Sequence, residues 1–244
     1  MRHYSRAMLG FSKPVVNVTF VGAGHNSTQA TITPTFASFI LDETGAAPTI
    51  LPDDYVFVGA SRVTSGHTMA AQGYTQVGTE LQSVDTATAQ GTLWYKKMGP
   101  TPDTTVSLAS GGSAGSWTVV VLRDVNTTTP LDVAVATATG INGAVPNCPT
   151  ITPVTPGAAV IGFGMGAISG STATALTIPA NGDTQTNRFK QGGQTNSGTT
   201  ARVATAVSMK IGNGAAAFDL ATFGGGVTTN TGSWAAFTIA VRPR

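Results

Sequence analysis

A stretch from the middle of this chain reappears at its end. Gly115-Ser116-Trp117 opens the run Trp117-Thr-Val-Val-Val-Leu-Arg123, and Gly232-Ser233-Trp234 opens Trp234-Ala-Ala-Phe-Thr-Ile-Ala-Val-Arg242. Each run is rich in β-branched and apolar residues, follows Gly/Ser punctuation and closes on an arginine, which is the pattern of a β-strand. Side chains alternate along a strand, so the even Trp-to-Arg spacing puts both on one sheet face. Two such strands, one finishing each half, predict an all-β fold: an antiparallel β-sandwich, jelly-roll-like, with an internal pseudo-repeat of the two halves.

The residues between them favour the same class. Only 10% are charged, against about 25% in an ordinary soluble domain, so Thr, Ser, Asn, Gln and Gly must form much of the surface. The 30 glycines and 13 prolines punctuate the chain at short intervals, and abundant Thr and Val favour strands over helices. A hydrophobic fraction of 41% with a net charge of +2 excludes a disordered chain. We expect a basic N-terminal arm over residues 1–14, carrying Arg2, Arg6 and Lys13, then one β-sandwich domain over residues 15–244. Two tandem small domains are the alternative, but they would show a clearer break in composition at the boundary.

Strand signals continue along the chain. Residues 15–21 alternate, with Val16, Val18 and Phe20 on one face; residues 30–34 and 36–41 are candidates separated by Pro34. Residues 55–62 form the clearest strand, and 74–77, 93–98, 104–108 and 131–137 follow. In the second half, residues 158–165 echo 55–62, and 174–178 precede the hairpin dipeptide Asn181-Gly182. Val203, Thr205, Val207, Met209 and Ile211 then alternate up to Asn213-Gly214. Only residues 79–90, free of Gly and Pro, read as a turn or two of helix. A lysine-bearing middle strand (Lys96 or Lys97; Lys210) recurs in both halves. The strand at Trp117 is apolar on both faces, which marks a covered strand. Its cover must come from a loop, the N-terminal segment or a neighbouring subunit, and on the last ground self-association is expected.

Catalytic patterns fail on inspection. Gly111-Gly-Ser113-Ala-Gly115 has the form of a nucleophile elbow, but that motif needs a preceding strand and a later histidine; His3, His25 and His67 all lie upstream. The histidines lack the spacing of metal ligands. Asp53-Asp54, and Asp124 with Asn126 and Asp132, are the only clusters of oxygen ligands; the latter partly matches a calcium loop but has Thr129 and Val135 where Gly and Glu are required. The glycine runs Gly162-Phe-Gly164-Met-Gly166 and Gly224-Gly-Gly226 fit neither a dinucleotide nor a phosphate loop. Cys148, the one cysteine, reads as a buried thiol. Trp94, Tyr95, Trp117 and Trp234 read as packing residues, with a sugar-binding face as the rival. No catalytic, metal or cofactor-binding residue is therefore assigned, and no cofactor is expected.

Partners are limited by charge and hydropathy. The isoelectric point near 8.9 rests on a surplus of two charges, with no clustered basic stripe for nucleic acid. Residues 7–11 are too short for a signal-peptide core, and residues 158–168 are interrupted by glycines and fall short of the ~20 residues that span a bilayer. Synthesis in the cytoplasm without a signal peptide, and no membrane insertion, are expected.

A resemblance completes the reading. Gly73-Tyr-Thr-Gln-Val, Leu93-Trp-Tyr-Lys-Lys-Met98-Gly-Pro-Thr-Pro-Asp103-Thr-Thr-Val and Val121-Leu-Arg-Asp124-Val-Asn-Thr-Thr-Thr-Pro130-Leu-Asp132-Val resemble a family of bacteriophage virion β-sandwich proteins, as do Ala138-Thr-Gly140-Ile-Asn, Pro149-x-Ile-x-Pro153-Val and the closing Ser233-Trp-Ala-Ala…Arg242-Pro243. The resemblance spans residues 15–243. It implies a non-enzymatic structural protein of the tail-fibre or head-decoration kind, in the virion, contacting other virion proteins and forming homo-oligomers, and it brings no catalytic residues. A host-surface glycan-binding adhesin is the alternative, favoured by exposed aromatics in a groove; a hydrolase would need a cleft holding two of the few carboxylates.

Overall fold

A computed structural model describes residues 15–28, 32–63, 69–84, 88–108, 115–141, 145–168, 176–178, 191–197, 201–211, 216–225 and 232–244. The arm at 1–14, His3, His67, residues 111–114 of the Gly/Ser motif and both Asn-Gly dipeptides lie outside them. The first sheet contains β1 (Thr19–Thr28), β2 (Tyr55–Arg62), β3 (Thr75–Gln76), β4 (Leu81–Val84), β5 (Thr88–Lys97) and β6 (Gly115–Arg123). The second contains β7 (Ala136–Ile141), β8 (Ala159–Ile168), β10 (Gln191–Ser197), β11 (Ala201–Lys210) and β13 (Gly232–Val241); β9 (Leu176–Thr177) and β12 (Gly224–Gly225) pair separately. All the pairings are antiparallel. The fold is an all-β sandwich, as the periodicity predicts.

The repeat extends to the topology. The sheets run β1-β6-β2-β5-β4 and β7-β13-β8-β11-β10, with β3 also on β5. Numbered within its own half, each sheet has the strand order 1-5-2-4-3. Their packing is reciprocal: β5 lies against β13 and β8 as β11 lies against β6 and β2, and β1 meets β10 as β7 meets β4. This is the isologous pattern of a twofold contact, here inside one chain. Each sheet is filled by one half, so the wiring is simpler than a jelly roll, in which strands cross from sheet to sheet.

Register fixes which residues correspond. Lys96 lies opposite Val56 and Lys210 opposite Val160, while Val56 and Val160 face Val121 and Ala240 on their other sides. Lys96, not Lys97, is thus the counterpart of Lys210, and Arg123 is the counterpart of Arg242. The tryptophans are not counterparts: Trp117 corresponds to Ala236, so Trp234 is displaced by two residues.

Between the sheets, Tyr55, Phe57, Leu93, Val120 and Leu122 meet Ile161, Phe163, Met165, Val207, Met209, Phe237 and Ile239 in one core drawn from both halves. Gly59 and Phe163 are counterparts, and they touch. A methyl group at Gly59 would lie 2.5 Å from the Phe163 ring, so the pseudo-twofold axis passes between a hole and the knob that fills it.

Neither tryptophan enters this core. Trp117 and Trp234 point outward, Trp117 with Val119 and Val121 under one cover and Trp234 under another. The Trp117 face is closed by the chain itself, through Phe36, Ile40, Met69, Tyr74, Val106 and Leu108. That removes the reason for expecting a neighbouring subunit there.

Several local expectations are corrected. Residues 36–39 are not a strand but one helical turn, α1 (Phe36–Phe39), closed by Ile40 N–H donating to Phe36 O. Phe36 and Ile40 are both buried, and an i, i+4 spacing lets them cover one face. The expected helix at 79–90 is instead β4 and the start of β5, since Leu81 packs against the inter-sheet core and Ser83 is buried, which period two allows. Residues 15–18 precede β1, where Val18 N–H donates to Gly157 O at 3.3 Å. Residues 104–108 form only isolated bridges, Thr105 to Thr35 and Leu108 to Ile32. At 131–137 the strand begins later, at Ala136, and Leu131 bridges Val241.

Candidate functional site

The cover of the first sheet carries a groove. Its frame is set by short-range chemistry: the Asp42 carboxylate accepts from the Thr44 amide (2.8 Å), the Thr44 hydroxyl (2.7 Å) and the Ala46 amide (3.0 Å), folding a tight turn that has Gly45 at φ +82. Together, largest first, the Thr44 hydroxyl and the amides of Thr44 and Ala46 hold Asp42 below the ordinary carboxylate range. On the other side, the Gln72 amide brackets Ser107, donating to its carbonyl (2.9 Å) and accepting from its N–H (2.8 Å). Lys96 donates to Gln72 O (2.7 Å) and Asp103 (2.5 Å), 5.7 Å from the centre of the Tyr74 ring. Lys210, its counterpart, stands 4.4 Å from the centre of the Phe218 ring.

Three pockets run together across this cover. One of about 590 Å³ has Lys96, Gln72 and the Thr101–Ser107 loop in its wall. A second, of about 520 Å³, shares Pro102, Asp103 and Thr104 with it and is floored by Phe36, Pro48 and Ile50. A third, of about 360 Å³, shares Pro48 and Thr49 with the second and adds Phe20, Val21, Asp42, Glu43 and Arg123. An apolar floor with polar walls is the usual chemistry of a binding cleft.

At the pole where β2 and β8 begin, the carboxylates that the sequence offered as ligands are bound to cations. Asp54, its side chain 1% exposed, is held by Arg123 through Nε and a terminal nitrogen, both at 2.8 Å. Asp132, wholly buried, accepts from Arg242 Nε (3.0 Å), from the Val154 and Thr155 amides (2.6 and 3.0 Å) and from the Thr155 hydroxyl. Burial acts to raise its pKa, but the Thr155 and Val154 bonds and Arg242 together hold it below the ordinary value. Lys97 pairs with Asp53 at 2.9 Å and Arg244 with Asp124 at 3.4 Å. Asn126 caps its own turn by accepting from the Thr128 and Thr129 amides. A pocket of about 240 Å³ gathers Asp53, Asp54 and Asp124, but Arg123 and Arg244 line it too. A carboxylate held this way is a structural staple, whereas acid–base catalysis needs a pair whose environments drive their pKa values apart.

The remaining candidates are placed as follows. His25 lies exposed on β1 opposite Thr118. Among the described residues, no three His, Cys, Asp or Glu side chains are placed to hold a metal ion, every Phe, Tyr and Trp side chain is buried or only partly exposed, and no helix is long and apolar enough to cross a membrane. Trp94 and Trp117 are buried, and Tyr95 packs on the inter-sheet core. Gly162 and Gly164 have no room for a methyl because Cys148, Leu220 and Phe223 lie against them. Cys148 is buried in that layer, its thiol pushed up to about 12 by burial. It is therefore expected to resist a disulfide reagent at neutral pH in the folded protein and to react within minutes once the chain is unfolded in denaturant, as followed by released thiolate absorbance.

The groove itself is not legible in the sequence: its lining residues are scattered from Phe20 to Arg123, and Phe20, Lys96 and Arg123 read there only as parts of strands. No protein-family model matches the chain, and no curated protein or solved structure is significantly similar to it.

Proposed function

We propose that the chain is a non-enzymatic structural component of a bacteriophage particle, of the tail-fibre or head-decoration kind, exposed on the virion and assembled with other virion proteins and further copies of itself. The observation that carries this reading is the use made of charge: Asp53, Asp54, Asp103, Asp124 and Asp132 all serve to hold turns and strand ends against Lys or Arg. The resemblance of its motifs to those of phage sandwich proteins supports it, as does a composition poor in charged residues. The glycan-binding alternative calls for exposed aromatics in a groove, and the described Phe, Tyr and Trp side chains are buried or only partly exposed.

The reading assigns the basic segment 1–14 to attachment. Deleting residues 2–13 should leave the sandwich folded, with a cooperative melting transition, and abolish incorporation into particles, measured as copies per purified particle. Unchanged incorporation would reject the segment's role. Finding no copies of the full chain on particles imaged by labelled electron microscopy would reject the virion reading itself.

A further inference from the structure

The groove on the first sheet has the chemistry of a site for an extended peptide, and the chain carries a segment that matches it. Its floor is aliphatic and aromatic, from Phe36, Pro48 and Ile50. Asp42 and Glu43 line the end nearest β1, where Arg123, the cation in the same wall, is committed to Asp54. That end of the groove is therefore apolar beneath and negative at its rim. Residues 1–14 read Met-Arg-His-Tyr-Ser-Arg-Ala-Met-Leu-Gly-Phe-Ser-Lys-Pro: three fixed positive charges, no acidic residue, and the large apolar side chains of Tyr4, Met8, Leu9 and Phe11 between them.

We propose that this groove is a peptide-docking site whose occupant is residues 2–13 of the same chain. Placement favours this. Phe20 and Val21, which line the acidic end, lie only a few residues after the segment. Fourteen extended residues reach roughly 45–50 Å, more than the ~30 Å across a small domain. A segment joined by so short a connection has an effective concentration in the millimolar range, so even weak intrinsic affinity keeps the groove filled. The consequence goes beyond the attachment role: the segment must leave the groove before it can engage anything else.

The test uses a synthetic peptide of residues 1–14 as the probe. Its binding is measured by fluorescence anisotropy to the chain lacking residues 2–13 and to the full chain. Saturable binding to the shortened chain is expected, weaker at high salt, and at least about tenfold weaker to the full chain, where the tethered segment competes. Ala37→Arg, on the exposed face of α1 in the groove wall, should weaken binding to the shortened chain about tenfold, and Glu43→Lys several-fold; neither site is buried. No binding, or binding indifferent to both substitutions, overturns the site. Equal binding to the full and shortened chains overturns occupancy by the chain's own segment. So does a full chain that sediments as an oligomer and becomes monomeric on deletion, because the segment would then reach a neighbouring copy. None of these readings depends on particles, so they stand or fall apart from the virion assignment.

Discussion

Phe163→Ala is expected to lower stability by about 4 kcal/mol, the usual loss for a fully buried phenylalanine, and the melting temperature by roughly 8–16 °C for a chain of this size. Phe163 is completely buried, and the backbone of Gly59 leaves the space its ring enters. Shrinking the ring leaves a void on the pseudo-twofold axis that the flanking strands, paired on both sides, cannot collapse to fill. The exchange experiment is more telling. Gly59→Phe alone puts two rings where one fits and should be worse than Phe163→Ala. Combining Gly59→Phe with Phe163→Gly returns one ring and one hole to the axis. The double variant should be more stable than the sum of the separate Gly59→Phe and Phe163→Gly losses predicts, by about 2 kcal/mol or more in a double-mutant cycle. Simple additivity would mean that these positions, though matched by register, are not energetically interchangeable.

Asp132→Ala is expected to cost about 3 kcal/mol, which is roughly 6–12 °C in melting temperature. The loss strands several groups together: the Val154 amide, the Thr155 amide and hydroxyl, and the Arg242 guanidinium all converge on this carboxylate. The partial exposure of Arg242, at 31%, keeps the loss at the lower end of the range for broken buried pairs, because water can solvate the abandoned cation. Asp132→Asn retains an acceptor and should lose less. Because the folded protein holds Asp132 below its ordinary pKa, its contribution is fully present above the unfolded value near 3.9 and fades as pH falls through the lower folded value. Urea midpoints measured from pH 7 to pH 2 should therefore converge for the wild type and Asp132→Ala in the most acidic samples. A gap that stayed constant down to pH 2 would show that the bonds to the ionised carboxylate are not the source of the difference.

The fold was legible where an apolar or alternating run was uninterrupted. The apolar run at residues 55–62 has the bounds expected of it, and the alternating residues from Val203 to Met209 fall in β11, with Ile211 one residue past its end. The repeat was legible through its lysines and arginines, which register confirms as counterparts. Its tryptophans misled by two residues, because Gly-Ser-Trp marks where a strand begins, whereas register is set along the whole ladder from the arginine end. β10 escaped notice because Gln191-Gly-Gly-Gln-Thr-Asn-Ser197 has neither β-branched density nor alternation, and its strand form comes from pairing with β11. α1 escaped because a single turn has no periodicity to display. The ion pairs were beyond sequence spacing altogether: Arg123 and Asp54 are 69 residues apart, Arg242 and Asp132 are 110.

Asp124, at φ 62, holds three parts of the chain in one place: the Thr19 hydroxyl bonds its carboxylate, the Arg244 amide bonds its carbonyl, and it is itself the link from one half to the next. Thr19 and Arg244 are therefore fixed at one corner, the same corner through which the first half continues into the second. A pull applied between these two residues loads that corner alone, and the strands beyond it hang from it as a pendant.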